Sequence, residues 1–252
     1  MLIINGDDFG RDRAATDACL QCHRQERITS ASVMVFMADS ERAAELAIND
    51  QLETGLHINL VVPFDGPGVP EGLRKAQNST AAFFQKGPWT QAVFNPFIAK
   101  AVAEVFHSQL EEYRRLFRRE PEHFDGHKHF HLSLNMMAAN VLPPGAAVRR
   151  NFTYFRGEKN WLNRWYRKRI DAWLLRRHIS TTAFFSLDPL GDRPRLLRIT
   201  ELAGTKWVEL MVHPWNPGHR AFLTGEEFGL LTARARLASF TALRSSLREA
   251  SR

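Results

Sequence analysis

No run of about 18 apolar residues occurs in this 252-residue chain, so a transmembrane helix is not expected. The opening residues, Met1-Leu2-Ile3-Ile4-Asn5-Gly6-Asp7-Asp8, lack the basic and long apolar regions of a signal peptide. The expectation is therefore a cytoplasmic protein. Cysteine is scarce: Cys19 and Cys22 are the only two, and a structural disulfide is not expected in that compartment. With His23 they spell the Cys-x-x-Cys-His of haem attachment, but that attachment follows export. Residues 14–27 read instead as a helix on which both cysteines share a face as small core residues. A second cysteine pair for a four-Cys zinc site is missing. So is a Gly-x-Gly-x-x-Gly after the first strand, which counts against a dinucleotide fold. Asp8-Phe9-Gly10 matches a kinase triplet but has no room upstream for the kinase loops.

Acidic residues nearly vanish between 149 and 177. Ten Lys and Arg, from Arg149 to Arg177, face only Glu158 and Asp171, so this segment carries +8 and the rest of the chain −1, for a net charge of +7. Within it, Trp161, Leu162, Trp165, Tyr166, Ile170, Trp173 and Leu174 recur at helical spacing, which predicts a basic amphipathic helix over 161–178. Three uses stay open. The helix can pack its stripe onto the core, lie on an anionic membrane surface at the inner face, or meet nucleic acid. No nucleic-acid motif accompanies it, so that partner is not expected.

Histidine is where the chain is rich. An even spread of ten His would put roughly 0.4 in any nine positions, yet His123-Phe124-Asp125-Gly126-His127-Lys128-His129-Phe130-His131 holds four. All four, with Asp125, occupy odd positions. On an extended strand they line one side and leave Phe124 and Phe130 on the other. A packed face of imidazole and carboxylate suits a metal or acid–base site.

Short apolar runs alternate with helical segments. Strands are predicted at 2–4, 31–37, 54–61, the His segment, 152–155, 182–186 and 207–212. Helices are predicted near 12–27, 40–48, 97–117, from 134, over 161–178 and over 225–249. Residues 62–90, rich in Gly and Pro, read as an irregular loop insertion. The alternation predicts an α/β protein with a parallel sheet, as a single domain over 1–252. Polar residues near the strand ends favour a TIM-like (β/α) barrel with its site at the C-terminal ends of the strands.

Asp8, His57 and His127 read together as one carboxylate and two imidazoles, a set that binds a divalent cation and leaves positions open. Asp7 is placed to accept a proton and His213 to donate one. Alone, each has a plainer reading: a helix cap for Asp7 and Asp8, a core histidine for His57, a strand-end residue for His213. Agreement among independent segments favours the site. Asp125, His129 and His131 are expected to shape the pocket or support substrate and ligands, and His123 to be structural.

In order along the chain, Ile3-Ile4-Asn5-Gly6-Asp7-Asp8-Phe9-Gly10, Ile28-Thr29-Ser30-Ala31-Ser32, Gly55-Leu56-His57, the His run, and Glu209-Leu210-Met211-Val212-His213-Pro214 resemble the YdjC-type carbohydrate deacetylases. The form His127-Lys128-His129-Phe130-His131-Leu132 is especially similar to the subgroup associated with hopanoid biosynthesis. The resemblance implies a TIM-like barrel and a metal-dependent hydrolase removing an N-acetyl group from an amino sugar, chitooligosaccharide or lipid-linked amino sugar. It implies one divalent ion, Mg or Zn, on Asp8, His57 and His127, with Asp7 as general base and His213 as proton donor or substrate contact. Gly6, Thr16 and Phe36 depart from the family pattern. The rival readings are an inactive barrel that binds through its basic helix, and a metal hydrolase acting on another bond. A homodimer is compatible with either.

Overall fold

The computed structural model describes residues 1–249. Its strands are β1 (Leu2–Phe9), β2 (Ser30–Val33), β3 (Thr54–Ile58), β4 (Phe124–Gly126), β5 (Ala183–Ser186) and β6 (Val208–Val212). They form one parallel sheet in the order β4-β3-β2-β1-β6-β5. Helices α1 (Arg13–Arg24), α2 (Ser40–Asn49), α3 (Glu71–Phe84), α4 (Ala99–Phe117) and α5 (Leu134–Ala139) fall in its first half. The second half holds α6 (Trp161–Leu174), α7 (Arg193–Thr205), α8 (Pro217–Thr224), α9 (Gly229–Thr232) and α10 (Phe240–Glu249).

The strands follow the cyclic order of a barrel, with β6 beside β1, and only β4 and β5 are left unpaired, at a seam. The expected barrel is realised as a curled half-barrel of six strands. Two short extended stretches run into the seam. Phe124 N–H donates to Ala147 O (2.8 Å), Arg149 N–H to Phe124 O (2.9 Å), and Val148 N–H to Ile179 O (2.9 Å). They add isolated parallel bridges but no full strand.

The outer face of the sheet packs apolar residues such as Leu2, Ile4, Val33, Leu56 and Leu210 against the helices. The inner face is different. On β1 the odd residues Ile3, Asn5 and Asp7 alternate with these. Ile3 meets Ala147, Phe240 and Leu243, so α10 closes the N-terminal end of the half-barrel. Above that plug the interior is polar: Asn5, Asp7, Ser32, His57, His123, Asp125, Arg149 and Glu209 are all buried.

Several expectations are corrected. The 62–90 loop contains α3, whose Leu73, Gln77, Thr80, Ala81 and Phe84 form a buried stripe at helical spacing. The second strand stops at Val33, and Phe36 turns left-handed (φ 61°) with its ring 5.2 Å from Phe64. No strand forms at 152–155, where Thr153 N–H makes one bond to Phe184 O. The 225–249 tail is not one helix. Around Leu237 it pairs with Leu2 before α10 begins, and Leu2 N–H donates to Arg236 O. Cys19 and Cys22 are buried free thiols on α1, as the helical reading expects.

Candidate active site

The polar ends of β1, β3, β4 and β6 meet at one end of the sheet. On β1 a regular strand would send Asp7 and Asp8 to opposite faces. A bulge prevents this: Gly6 pairs with Ala31 but Phe9 with Val33, so β1 carries one extra residue. Asp8 takes up the difference at φ 69°, a left-handed backbone that is strained for a non-glycine residue. Both carboxylates thereby reach the interior.

Asp8 Oδ1 lies 3.0 Å from His127 Nδ1 and 3.4 Å from His57 Nε2. The three possible ligand atoms of Asp8, His57 and His127 all fall within 4.8 Å of one another. Asp8 Oδ2 accepts from Arg11 (2.7 Å) and from Trp215 Nε1 (3.0 Å). Behind His57, Nδ1 faces Asp125 Oδ1 at 2.8 Å. A carboxylate there fixes the tautomer that leaves Nε2 free for a ligand, the usual support for a metal-binding histidine. Asp8 and His57 are buried, and His127 is partly open toward solvent.

Charge supports the same reading. Burial disfavours the ionised Asp8, but hydrogen bonds to His127 and His57 hold it well below the usual carboxylate range. Burial also opposes a charged His57, yet Asp125, by charge and hydrogen bond, and Asp8 push its pKa up to about 10. The space between Asp8 and Asp125 strongly favours positive charge. One carboxylate and two imidazoles in such a place fit a divalent cation.

Asp7 is held from behind. Arg149 donates to both of its oxygens at 2.7 Å, and Asn5 Nδ2 to Oδ1 at 2.8 Å. Three donors leave a carboxylate one of its four lone-pair sites. His213 follows β6, its ring 5.8 Å from Trp215, and burial lowers its pKa although Asp7 and Asp8 oppose this. It lies beside the two carboxylates.

The His run divides its labour. β4 ends at Gly126, and the chain enters a tight turn with Lys128 (φ 53°) and His129 (φ 60°) left-handed. The single-face strand expected over 123–131 does not exist. Of its four histidines, His127 alone joins Asp8 and His57. His131 turns back over Gly126 and its Nε2 lies 2.9 Å from Arg149 O. His129 packs edge-on against Phe152, ring centroids 4.5 Å apart. His123 sits at the far end of β4, stacked on Phe240 at 3.9 Å, with Nε2 3.0 Å from Ser32 Oγ.

Sequence reasoning missed Arg149 and Glu209. Arg149 counts toward the basic segment, but it is fully buried, with pairs to Asp7 (2.7 Å), Asp125 (2.5 Å) and Glu209 (2.6 Å). Burial works against its charge, and the three carboxylates outweigh that and hold it charged. Glu209 goes the other way: burial pushes it up to about 7, against the pull of Arg149. The available signal was Glu209 within the apolar Trp207-Val208-Glu209-Leu210-Met211-Val212, since a carboxylate in a buried strand demands a cationic partner. Of the departures, Gly6 is closely fitted: an added Cβ would lie 3.2 Å from Ile28 and 3.3 Å from Cys19.

Comparison with known proteins agrees with this architecture. A carbohydrate deacetylase of Mus musculus is 31% identical over 137 residues, which are 52% of this chain and 43% of that protein. The chain thus spans under half the length of that relative. A chitooligosaccharide deacetylase of Yersinia pestis (strain Pestoides F) is 26% identical over 254 aligned residues, covering 96% of this chain and 92% of that one. A crystal structure from Enterococcus faecalis V583, provisionally described as a cellobiose-phosphate cleavage protein, shares the fold with a TM-score of 0.70 at 17% identity. That likeness covers 96% of this chain and 98% of the other. The family model described as YdjC-like protein matches residues 1–246, and this chain belongs to that family.

Proposed function

We propose that this protein is a metal-dependent hydrolase that removes the N-acetyl group from an amino sugar, a chitooligosaccharide or a lipid-linked amino sugar. The observation that carries the reading is the meeting of Asp8, His57 and His127 from three separate segments, with Asp7 and His213 beside them. The relatives named as carbohydrate and chitooligosaccharide deacetylases point to the same bond. In full, the architecture is read as a TIM-like barrel opened at one seam.

Asp8, His57 and His127 would hold the ion, magnesium or zinc, with Asp125 orienting His57. The chemistry a divalent cation supplies in such a site is Lewis acidity, which polarises a carbonyl and acidifies water. Asp7 accepts the proton of the attacking water. Arg149 and Asn5 fix its position, so little reorganisation accompanies the transfer. Hydroxide adds to the acetyl carbonyl carbon, the C–N bond breaks, and acetate and the free amine leave. His213, on the facing side, contacts the departing nitrogen or, in its protonated form, gives it the proton that completes the free amine. Asp125, His129 and His131 shape the pocket behind these groups.

An acetate-release screen over N-acetylated sugars, chitooligosaccharides and lipid-linked amino sugars, with and without chelator, tests this. Release is expected to disappear with chelator and return with added ion. Asp7→Asn is expected to lower it by ~10²–10⁴-fold, the usual contribution of general acid–base catalysis. Full acetate release by Asp7→Asn or His127→Ala on a verified substrate would falsify the assignments.

A further inference from the structure

The outward face of α6 is built unlike the solvent side of a helix. Ile170 and Leu174 are buried, and Tyr166 and Trp173 pack partly against the core. The apolar stripe read from the sequence is thus split. Trp161, Leu162 and Trp165 are left 71%, 55% and 55% exposed. Trp161, Trp165 and Lys168 follow at i, i+4 and i+7 and share one outer face. Large apolar groups on an outer helix face are not what a water-facing surface selects.

The charge of this face is equally one-sided. Residues 156–177 hold eight Lys and Arg against Glu158 and Asp171. Both acids are engaged, Asp171 by Arg150 at 2.7 Å and Glu158 by Arg195 at 3.3 Å. Among the described residues no carboxylate pairs with Arg164, Lys168 or Arg169.

The patch also borders the candidate site. Trp161 and Trp165 share a groove with Phe152 and Tyr154, and Phe152 touches His129 in the turn that carries His127. Across that turn, Gln91 donates to Lys128 O at 3.0 Å. This ties down a segment whose Trp89, Phe94 and Phe97 are 54%, 47% and 93% exposed. Exposed aromatic residues thus lie on two sides of the turn that carries His127.

We propose that α6 docks this protein peripherally on an anionic membrane surface, with the mouth of the site turned toward the bilayer. Trp161, Leu162 and Trp165 enter the headgroup layer, where amphipathic rings reside. Arg164, Lys168 and Arg169 meet the lipid phosphates. No described helix is long and apolar enough to cross a membrane, so the contact lies in the interface plane. A nucleic acid would use the cations and rings but leave Leu162 and the 46% exposed Leu175 in water, whereas a lipid surface covers them.

The test is co-sedimentation of the full chain with vesicles of phosphatidylcholine alone or mixed with phosphatidylglycerol. The anionic vesicles are expected to bind at least ~10-fold more tightly, and high salt to release the protein. Trp161→Ser/Trp165→Ser and Lys168→Glu/Arg169→Glu are each expected to weaken binding about 10-fold. Their melting curves should match wild type because the side chains are exposed, and the charge-reversal pair decides alone should the tryptophan pair unfold. The readout is binding, so it stands or falls apart from deacetylation. No preference for anionic vesicles, binding indifferent to the variants, or the same residues binding an oligonucleotide in place of vesicles overturns the proposal.

Discussion

Arg149 neutralises part of an interior that otherwise collects Asp7, Asp125 and Glu209. Removing one partner of a buried ion network leaves the others unpaired in low dielectric, at a cost of about 3–5 kcal/mol. Arg149→Met is therefore expected to lower the unfolding free energy by that amount, read as a shift in urea midpoint. Acid acts on the same interior through its histidines. Burial pulls His123 and His131 down to about 4, although Asp125 opposes it, against an ordinary value of 6.5. Between those values the unfolded chain binds more protons than the folded one. The contribution of these two histidines is then complete above pH 6.5 and lost as pH falls toward 4. Urea midpoints across that range should fall, and more shallowly in His131→Gln; an equal slope in that variant would remove His131 from the account.

At the scale of elements, the His run shows what pattern can and cannot deliver. Its count pointed to a site, and period two predicted a strand. The chain instead leaves extended geometry after Gly126, because left-handed Lys128 and His129 fold it back so that His131 packs over Gly126. No local propensity announces such a turn. The α3 helix was hidden for a related reason: Gly and Pro on either side of it outweighed a real stripe of buried residues. Strands β1, β3 and β6 and the meeting of Asp8, His57 and His127 were legible because the strands rest on local apolar runs ending in polar residues. The element-level fit can be tested at Gly55 of β3. A Cβ there would sit 2.4 Å from the His123 ring, which is itself stacked on Phe240 of α10. Gly55→Ala is expected to cost about 1–3 kcal/mol by overpacking. Gly72→Ala in α3 meets nothing within 4 Å and should gain up to about 1 kcal/mol from helix propensity. Paired melting curves separate the two.

Across the whole molecule, the half-barrel is open between β4 and β5, and the site spans its curved face from β1 to β4. Asp8 comes from central β1 and His57 from β3, while His127 hangs on the edge strand β4 through a turn. A ligand held by all three would tie that edge to the centre. Anything that binds only the folded chain stabilises it by RT ln(1 + [L]/Kd), about 2.7 kcal/mol at a hundredfold excess over Kd. Divalent cation is thus expected to raise the melting temperature of the wild-type protein by several degrees, and chelator to reverse the rise. His127→Ala keeps the sheet but loses the edge ligand, so most of the cation-dependent shift should vanish with little change in the cation-free melting point. His123→Gln, altered at the far end of β4, should keep the full shift even if its baseline drops. A His127→Ala protein still stabilised as strongly as wild type would place the cation elsewhere and leave Asp8, His57 and His127 as a polar core without an ion.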